Sequence, residues 1–263
     1  MTTSTEFDLA WAVEEDVPPG NPRRDSQFVF KRVPELITAK ATEGRPQRVL
    51  EVACGLGGQL ALLRERCGEA WGLDASTALA RYCRQRFVEE GGTPVVAAVA
   101  EALPFRSGSF DRVVCQGSLD HFVKPRQFMR EVARVLKPDG RAIIGISNFD
   151  SLSCVLGRTL YRVQERRGAP VYRGRNYWEI PHNHAFRGTY ALLMRLGEPG
   201  LELVECRGVS MLWLFHRWTQ LMERLPGPLA WSTMNTMDRV AYHVPALADL
   251  LVSVWRPRTN AHG

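Results

Sequence analysis

A glycine-rich turn in residues 49–58 is the first feature of the sequence that could do chemistry. It reads Val-Leu-Glu-Val-Ala-Cys-Gly-Leu-Gly-Gly, an apolar run that ends in Gly55 and Gly57. Glycine lets the backbone turn tightly and approach a ligand, and a following helix offers unpaired N–H groups to an anion. The pattern therefore predicts a ligand-binding turn after a strand. A dinucleotide turn would need its third glycine where this sequence has Leu60, which argues against a nicotinamide dehydrogenase.

An acidic residue, Asp74, ends the next predicted strand. A carboxylate at this place can accept hydrogen bonds from the hydroxyls of a ribose, as in other nucleotide-binding α/β folds. The alternative is that Asp74 is only a solvated turn residue. Taken together, the glycine turn and the carboxylate indicate a nucleoside site at one edge of a sheet.

Three further motifs follow in a fixed order. Residues 100–105 read Ala-Glu-Ala-Leu-Pro-Phe, residues 109–111 read Ser-Phe-Asp, and residues 136–140 read Leu-Lys-Pro-Asp-Gly. In this order and spacing the motifs resemble the class I S-adenosylmethionine-dependent methyltransferases, and the resemblance covers about residues 48–147. Fainter similarity in residues 146–152 and 181–186 favours the branch that methylates small molecules such as sugars, quinones and natural products.

The resemblance implies an α/β fold with a Rossmann-like, doubly wound sheet of seven strands and a helical lid. It also implies S-adenosylmethionine as the cofactor and S-adenosylhomocysteine as its product. The implied cofactor-binding residues are Glu51, Ala53, Gly55, Gly57, Asp74, Ala75, Ala100, Glu101 and Gln116. In this scheme Glu51 and the turn hold the methionine end, Asp74 holds the ribose, and Gln116 lies near the sulfonium.

Two positions depart from the family pattern. Ala53 stands where the family usually has its first glycine, and a small side chain is tolerated there if φ stays negative. Val99 stands where many relatives have an aspartate that binds the adenine amine. That contact is therefore either missing or supplied by Glu101.

Short β-rich runs alternate with helical patterns from Arg48 onward, which predicts parallel βαβ units. Ser76 opens an amphipathic run and is predicted to be a helix N-cap. The predicted strands are residues 48–53, 69–74, 94–100, 112–116, 141–147, 201–209 and 250–256. The predicted helices between them are residues 58–66, 76–89 and 126–136.

The chain divides into an N-terminal helical cap, residues 1–45, and a main domain, residues 46–263. Two inserts in the main domain, residues 151–186 and 211–249, are expected to form a substrate lid. The methionine and aromatic residues of the second insert either pack it onto the sheet or line a pocket for a flat apolar acceptor. Three aromatic residues of the cap are expected to face inward: Trp11, Phe28 and Phe30.

Methyl transfer from a sulfonium requires the alignment of donor and acceptor and, for a hydroxyl or amine acceptor, the removal of a proton. The candidate general bases are His121, His182 and His184. His121 could instead only shape the cofactor pocket, and Asp120 beside it is a candidate to orient it. Tyr177 and Trp178 could stack on an acceptor or anchor a loop. No His, Asp or Glu grouping has metal-ligand spacing, so no metal is expected.

The composition indicates an ordinary globular protein: 263 residues, of which 45% are hydrophobic, with a net charge of +6 that is too diffuse to indicate nucleic acid. We expect a small-molecule acceptor and a monomer or homodimer. Residues 115–118 lack the Asn/Asp-Pro-Pro-aromatic element of enzymes that methylate bases. The alternatives are a nucleic-acid methyltransferase and a non-catalytic protein that binds the cofactor.

Three further observations bear on the compartment. The six cysteines form no C-x-x-C pair, which indicates a reducing cytoplasm. The start of the chain is not a signal peptide, since it lacks a basic run followed by an apolar one. No apolar stretch reaches the roughly 18 residues of a membrane-spanning helix. We therefore expect a cytoplasmic protein.

Overall fold

The predicted α/β fold is confirmed by the computed structural model, which describes residues 22–88, 91–171, 176–181, 184–196 and 200–258. Its strands are β1 (Arg48–Val52), β2 (Glu69–Asp74), β3 (Val95–Ala97), β4 (Phe110–Gln116), β5 (Leu136–Ser147), β6 (Leu201–Val209) and β7 (Leu250–Pro257). They form one sheet of seven strands in the order β3-β2-β1-β4-β5-β7-β6. β7 runs antiparallel to both of its neighbours, and the other described strand pairs are parallel.

Eight α-helices connect or flank the strands in the part of the chain that is described. They are α1 (Arg24–Thr42), α2 (Gly58–Arg64), α3 (Thr77–Arg86), α4 (Pro125–Val135), α5 (Leu152–Arg166), α6 (Tyr190–Met194), α7 (His216–Arg224) and α8 (Gly227–His243). Short 3₁₀ turns occupy Leu119–His121 and Pro245–Leu247. None of these helices combines the length and the apolar character needed to cross a membrane.

The sheet is covered on both faces, and the alternation of side chains along β1 shows why. Leu50 and Val52 are buried in one core with the apolar stripe of α4, whereas Val49 is buried in the other core with α1, α2 and α3. Successive side chains of a strand point to opposite faces, so a strand with buried apolar side chains on both faces must be covered on both sides. Because both faces of the sheet are covered, the candidate functional residues lie at the ends of the strands.

Most element predictions agree with the structure to within a few residues. The Ser76 hydroxyl accepts a hydrogen bond from the Leu79 backbone N–H at 3.3 Å, which confirms the predicted N-cap. The third predicted strand, 94–100, was too long, because pairing with β2 ends at Ala97 and the Ala102 N–H then closes a turn onto Val99.

Helix α5, in the first insert, is not among the predicted helices. Ser151 caps the start of this helix, and Gly168, at a φ of 67°, follows its end. Gly157 lies inside the helix, where a Cβ would meet the Tyr177 hydroxyl at 2.4 Å. The close packing of Tyr177 against α5 therefore requires a glycine at position 157. In the sequence alone, a glycine is evidence against a helix.

The N-terminal cap is helical over α1, although its inward residues differ from the prediction. Phe28 is buried, but Phe30 is 42% exposed, so the prediction for Phe30 was wrong. A helix turns by about 100° per residue, so positions two apart cannot share a narrow buried stripe. Trp11 lies outside the described residues.

The second insert packs on both β6 and α1. The rings of Trp231 and Phe28 lie 5.6 Å apart, and the Trp213 indole N–H donates to the Ser26 hydroxyl at 3.1 Å. Met222 is fully buried in the same core. These contacts fit the interpretation in which the aromatic and methionine residues hold the insert to the rest of the domain.

The carboxyl edge of the sheet collects the ends of several strands. Ser147 at the end of β5 and Val209 at the end of β6 both pair with Leu250, the first residue of β7. The segments that follow β5 and β6 therefore start at the edge where β1, β2 and β4 also end. In open α/β sheets this edge is where ligands bind.

Candidate functional site

The glycine turn leaves β1 and enters α2 through a compact loop. The Cys54 N–H donates to the Leu73 carbonyl at 3.0 Å, and the Gly57 N–H donates to the Cys54 carbonyl at 2.8 Å. Gly57 has a φ of 77°, and a Cβ on it would lie 2.7 Å from the Cys83 sulfur. Only glycine satisfies both the conformation and the space at this position.

Ala53 adopts the left-handed conformation, with a φ of 58°, so the condition of a negative φ is not met. The chain bends at this residue, between β1 and the loop. An L-residue in this region costs roughly 1–2 kcal/mol relative to a relaxed backbone. The turn is therefore built with strain that the family glycine would avoid.

Asp74 is buried at the end of β2, which excludes the solvated-turn alternative. It is 7% exposed, and its carboxylate accepts hydrogen bonds from the Gly55 N–H at 2.9 Å and the Ser76 N–H at 2.8 Å. The carboxylate thus fixes the glycine turn and the start of α3 at once. Its contact with a ribose stays a prediction.

Two buried acceptor atoms lie at the ends of the adjacent strands β1 and β4. Within the described residues, Oε2 of Glu51 and Oε1 of Gln116 are buried and have no hydrogen-bond donor. Burial raises the pKa of Glu51 well above its ordinary value, with a smaller contribution from Asp74. Buried acceptors are normally paired; the ammonium group at the methionine end of S-adenosylmethionine offers donors to Glu51, and the positive charge of its sulfonium suits the Gln116 oxygen. The residues present therefore fit that cofactor.

The remaining predicted cofactor residues flank this position. Ala75 and Val99 are half-buried, and Ala100 is buried. Oε1 of Glu101 accepts a hydrogen bond from the Lys124 N–H at 3.2 Å, which joins the loop after β3 to the loop after β4. Glu101 thus has a structural partner, and its proposed contact with the adenine amine stays a prediction.

Asp120, His121 and His184 form a cluster beyond the end of β4, hereafter the Asp120 cluster. Asp120 is 1% exposed; its Oδ2 lies 3.1 Å from His184 Nδ1, and its Oδ1 lies 3.9 Å from His121 Nε2. The two imidazole rings are 4.4 Å apart between centroids. Asp120 is therefore closer to His184 than to His121, the residue it was expected to orient.

The backbone holds the Asp120 cluster together. The Ala185 N–H donates to the Asp120 carbonyl at 2.8 Å, which fastens the first insert to the 3₁₀ turn after β4. The Phe149 ring lies 5.8 Å from the His184 ring and closes the cluster from the end of β5. Burial raises the pKa of Asp120 to about 7. This group can hold or exchange a proton near neutral pH.

The sequence treated His121 and His184 as alternatives, whereas the structure brings them together. From the sequence, Asp120 was only a candidate to orient His121. The one sequence feature that pointed to Asp120 was its position beside a histidine. The ligand atoms of the three side chains all lie within 4.8 Å of one another, so the cluster could also hold a metal ion. His182 lies outside the described residues, and its role stays a prediction.

Tyr177 and Trp178 lie where they anchor the first insert. The Tyr177 hydroxyl donates to the Ser153 carbonyl at 2.7 Å, and both aromatic side chains pack against Gly157 of α5. The Trp178 ring also contacts the Tyr161 ring, with 5.9 Å between centroids. This geometry favours the loop-anchoring alternative over stacking on an acceptor.

Comparison with known proteins supports the same assignment. Residues 50–144 match a protein family described as a methyltransferase domain. An uncharacterized methyltransferase, YcgJ of Bacillus subtilis, is 36% identical over 109 residues, which are 40% of this chain and 43% of that protein. A fatty-acid O-methyltransferase of Mycolicibacterium smegmatis is 35% identical over 136 residues, half of this chain and 49% of that protein. The chain therefore matches less than half the length of either relative.

Solved structures show the same fold. The crystal structure of YcgJ from Bacillus subtilis aligns with a TM-score of 0.55 at 17% identity, covering 88% of this chain and all of that one. The chain therefore has the fold of the class I methyltransferases. Residues 50–144 are the part of the chain that is similar to a methyltransferase domain.

The strain at Ala53 predicts that Ala53→Gly stabilises the protein. The substitution removes the strain of a Cβ in the left-handed conformation, which costs about 1–2 kcal/mol. It also raises the conformational entropy of the unfolded chain, which lowers the free energy of unfolding by about 0.4–1 kcal/mol. We expect a gain of about 0.5–1 kcal/mol in urea unfolding. The matched change Ala61→Gly, inside α2, should cost about 1 kcal/mol. A clear loss of stability in Ala53→Gly would contradict the assigned conformation.

The buried carboxyl of Glu51 predicts a stability difference that depends on pH. The pKa of Glu51 is higher in the folded state than in the unfolded state. As the pH rises, the unfolded chain therefore loses this proton first, and the free energy of unfolding decreases. Glu51→Gln should therefore gain stability relative to the parent between pH 5 and pH 8, at up to about 1.4 kcal/mol per pH unit. Urea unfolding at both pH values measures this gain. Glu65→Gln, at an exposed position, is the control, and an equal gain at both pH values would refute the explanation.

Proposed function

We propose that the protein is an S-adenosylmethionine-dependent methyltransferase that moves a methyl group to a small acceptor, with oxygen favoured over nitrogen or carbon. The observation that supports this most is the pair of unsatisfied acceptors on Glu51 and Gln116. They lie beside a glycine turn fastened by a buried aspartate. This combination suits a ligand that carries an ammonium group at one end and a ribose at the other.

When bound, S-adenosylmethionine supplies an electrophilic methyl carbon for an in-line displacement. In the proposal, Glu51 and the turn from Ala53 to Gly57 bind its methionine end. Asp74 accepts the ribose hydroxyls, with Ala75, Ala100 and Glu101 around the adenine. Gln116 lies at the sulfonium end, which faces the acceptor. Fixing two reactants in this way can contribute about 7–11 kcal/mol to catalysis.

The Asp120 cluster is proposed to activate the acceptor. Asp120 and His121 lie in the 3₁₀ turn that follows β4, a few residues after Gln116, which supports a position of the cluster on the acceptor side of the cofactor residues. A hydroxyl must lose its proton as the methyl group is transferred, and His121 and His184 are the side chains positioned to assist, with His182 as the third predicted candidate. An amine acceptor has the same need, so the preference for oxygen rests on the similarity to a fatty-acid O-methyltransferase.

The acceptor class is proposed to be apolar or aromatic. The aromatic and methionine content of the second insert supports this, as does the similarity to a fatty-acid O-methyltransferase. Nucleic acid is not the proposed substrate, because the basic residues form no run in the sequence. The cysteines are free, in keeping with the proposed cytoplasmic location, and a monomer or homodimer is proposed.

The glycine turn gives a matched pair of variants for cofactor binding. Gly57→Ala forces a Cβ into contact with Cys83 at a φ of 77°, whereas a Cβ on Gly58 meets nothing within 4 Å. In calorimetric titrations with S-adenosylmethionine, Gly57→Ala should bind at least about tenfold more weakly, which is about 1.4 kcal/mol, and Gly58→Ala should bind normally. Equal affinity in both variants would show that the turn is not the binding site.

An acceptor assay tests the reaction itself. The protein is incubated with S-adenosylmethionine and 4-nonylphenol, myristic acid, a small-molecule cell extract, RNA or DNA, and S-adenosylhomocysteine is measured. We expect product with small molecules and none with nucleic acid. His184→Ala should lower turnover roughly 10²–10⁴-fold without changing donor affinity, and the control His243→Ala should not.

The same assay separates the alternatives. Product formed only with RNA or DNA would favour a nucleic-acid methyltransferase. Donor binding without product from any acceptor, the extract included, would favour the non-catalytic binding protein.

A further inference from the structure

We propose that Asp120, His121 and His184 form a binding site for a divalent transition-metal ion of the zinc type. From the sequence no metal was expected, because no His, Asp or Glu grouping has metal-ligand spacing along the chain. The structure supplies His184 from the first insert, far from the other two in sequence.

The distances within the cluster suit a common ion. Two protein ligands at about 2.1 Å from one ion, with angles of roughly 90–140° between them, lie about 3.0–3.9 Å apart. The distance from Asp120 Oδ2 to His184 Nδ1 is 3.1 Å, and that from Asp120 Oδ1 to His121 Nε2 is 3.9 Å. The two distances involve the two different oxygens of Asp120, and each falls in the range expected for two ligands of one ion that is bound by both oxygens of this carboxylate.

The burial of Asp120 is the second, independent observation. Its side chain is 1% exposed, and within the described residues its Oδ1 accepts no hydrogen bond although this atom is buried. A buried carboxylate oxygen without a partner costs free energy, and a cation in the cluster would remove that cost. The unpaired oxygen faces the cluster, where His121 Nε2 is 3.9 Å away.

The chemistry of the ligands indicates the kind of ion. Two imidazole nitrogens and one carboxylate match zinc and its first-row neighbours, whereas calcium and magnesium prefer oxygen ligands alone. Three protein ligands leave at least one coordination position open, as in catalytic rather than structural zinc sites. That position would accept a hydroxyl.

The role of the ion, unlike the site itself, rests on the proposed function. A divalent ion lowers the pKa of a hydroxyl that it coordinates, so an acceptor alcohol or phenol would lose its proton to solvent more readily. His121 and His184 would then activate the acceptor as metal ligands instead of as free bases. The substrate class would be hydroxyl compounds.

The test is metal binding by the full chain, without any acceptor. The protein is stripped with a chelator and titrated with Zn²⁺ by calorimetry and with Co²⁺ by absorption spectroscopy. We expect one ion per chain with a Kd below about 10 µM, weakened at least tenfold in His121→Ala, His184→Ala and Asp120→Asn. His243→Ala, which alters a histidine on α8 outside the cluster, should bind as the parent does.

X-ray absorption of the zinc-loaded parent protein tests the site without any substitution, so its result does not depend on variants that fail to fold. It should show nitrogen and oxygen ligands at about 2.0–2.2 Å, with imidazole scattering and no sulfur at about 2.3 Å. Sulfur ligands would assign the ion to cysteines and overturn the proposal. No saturable binding at 10 µM would overturn it too, as would binding that His184→Ala leaves unchanged.

S-adenosylmethionine titrations on the same samples separate this proposal from the proposed function. Normal donor binding with no metal binding refutes only the metal site. Metal binding without donor binding refutes the methyltransferase assignment and leaves the metal site standing.

Discussion

The carboxylate of Asp74 is the interaction on which the site depends. One side chain at the end of β2 accepts the backbone N–H of Gly55 from the turn after β1 and the N–H of Ser76 at the start of α3. It thus connects two βα units that the sheet alone would hold only through strand pairing. Because the carboxylate is buried, these two donors are paired inside the protein instead of with water.

Strained backbone gathers at the same edge of the sheet. Besides Ala53, three non-glycine residues after β6 have a positive φ: Ser210, Leu212 and Leu214. Asp238 accepts the Ser210 N–H at 3.0 Å, and Asp249 accepts the Trp213 N–H at 2.8 Å. Burial raises the pKa of Asp249 to about 6, so keeping this carboxylate ionised inside the protein costs free energy. Strain that is fixed by buried hydrogen bonds is a common property of functional sites.

The comparisons divide the chain in the same way as the structure does. The family match ends at residue 144, within β5, so it covers the candidate cofactor residues and stops before both inserts. The inserts contribute His184 to the Asp120 cluster and the aromatic side chains packed against α5 and α1. A fold of this kind supports many chemistries, which are set by the sites built on it.

The sheet and the edge that carries the candidate site could be predicted from the amino-acid sequence, because strand periodicity, glycine turns and capping residues are local signals. The candidate cofactor residues followed from the family resemblance. The conformation of Ala53, the helix α5 around Gly157 and the exposure of Phe30 could not be predicted. The folded chain was needed to show that Asp120 lies against His184 and that, among the described residues, Glu51 Oε2 and Gln116 Oε1 have no donor. The reason is physical: a contact between distant segments and the burial of a polar atom depend on what packs against it, and neither is encoded in the spacing of neighbours.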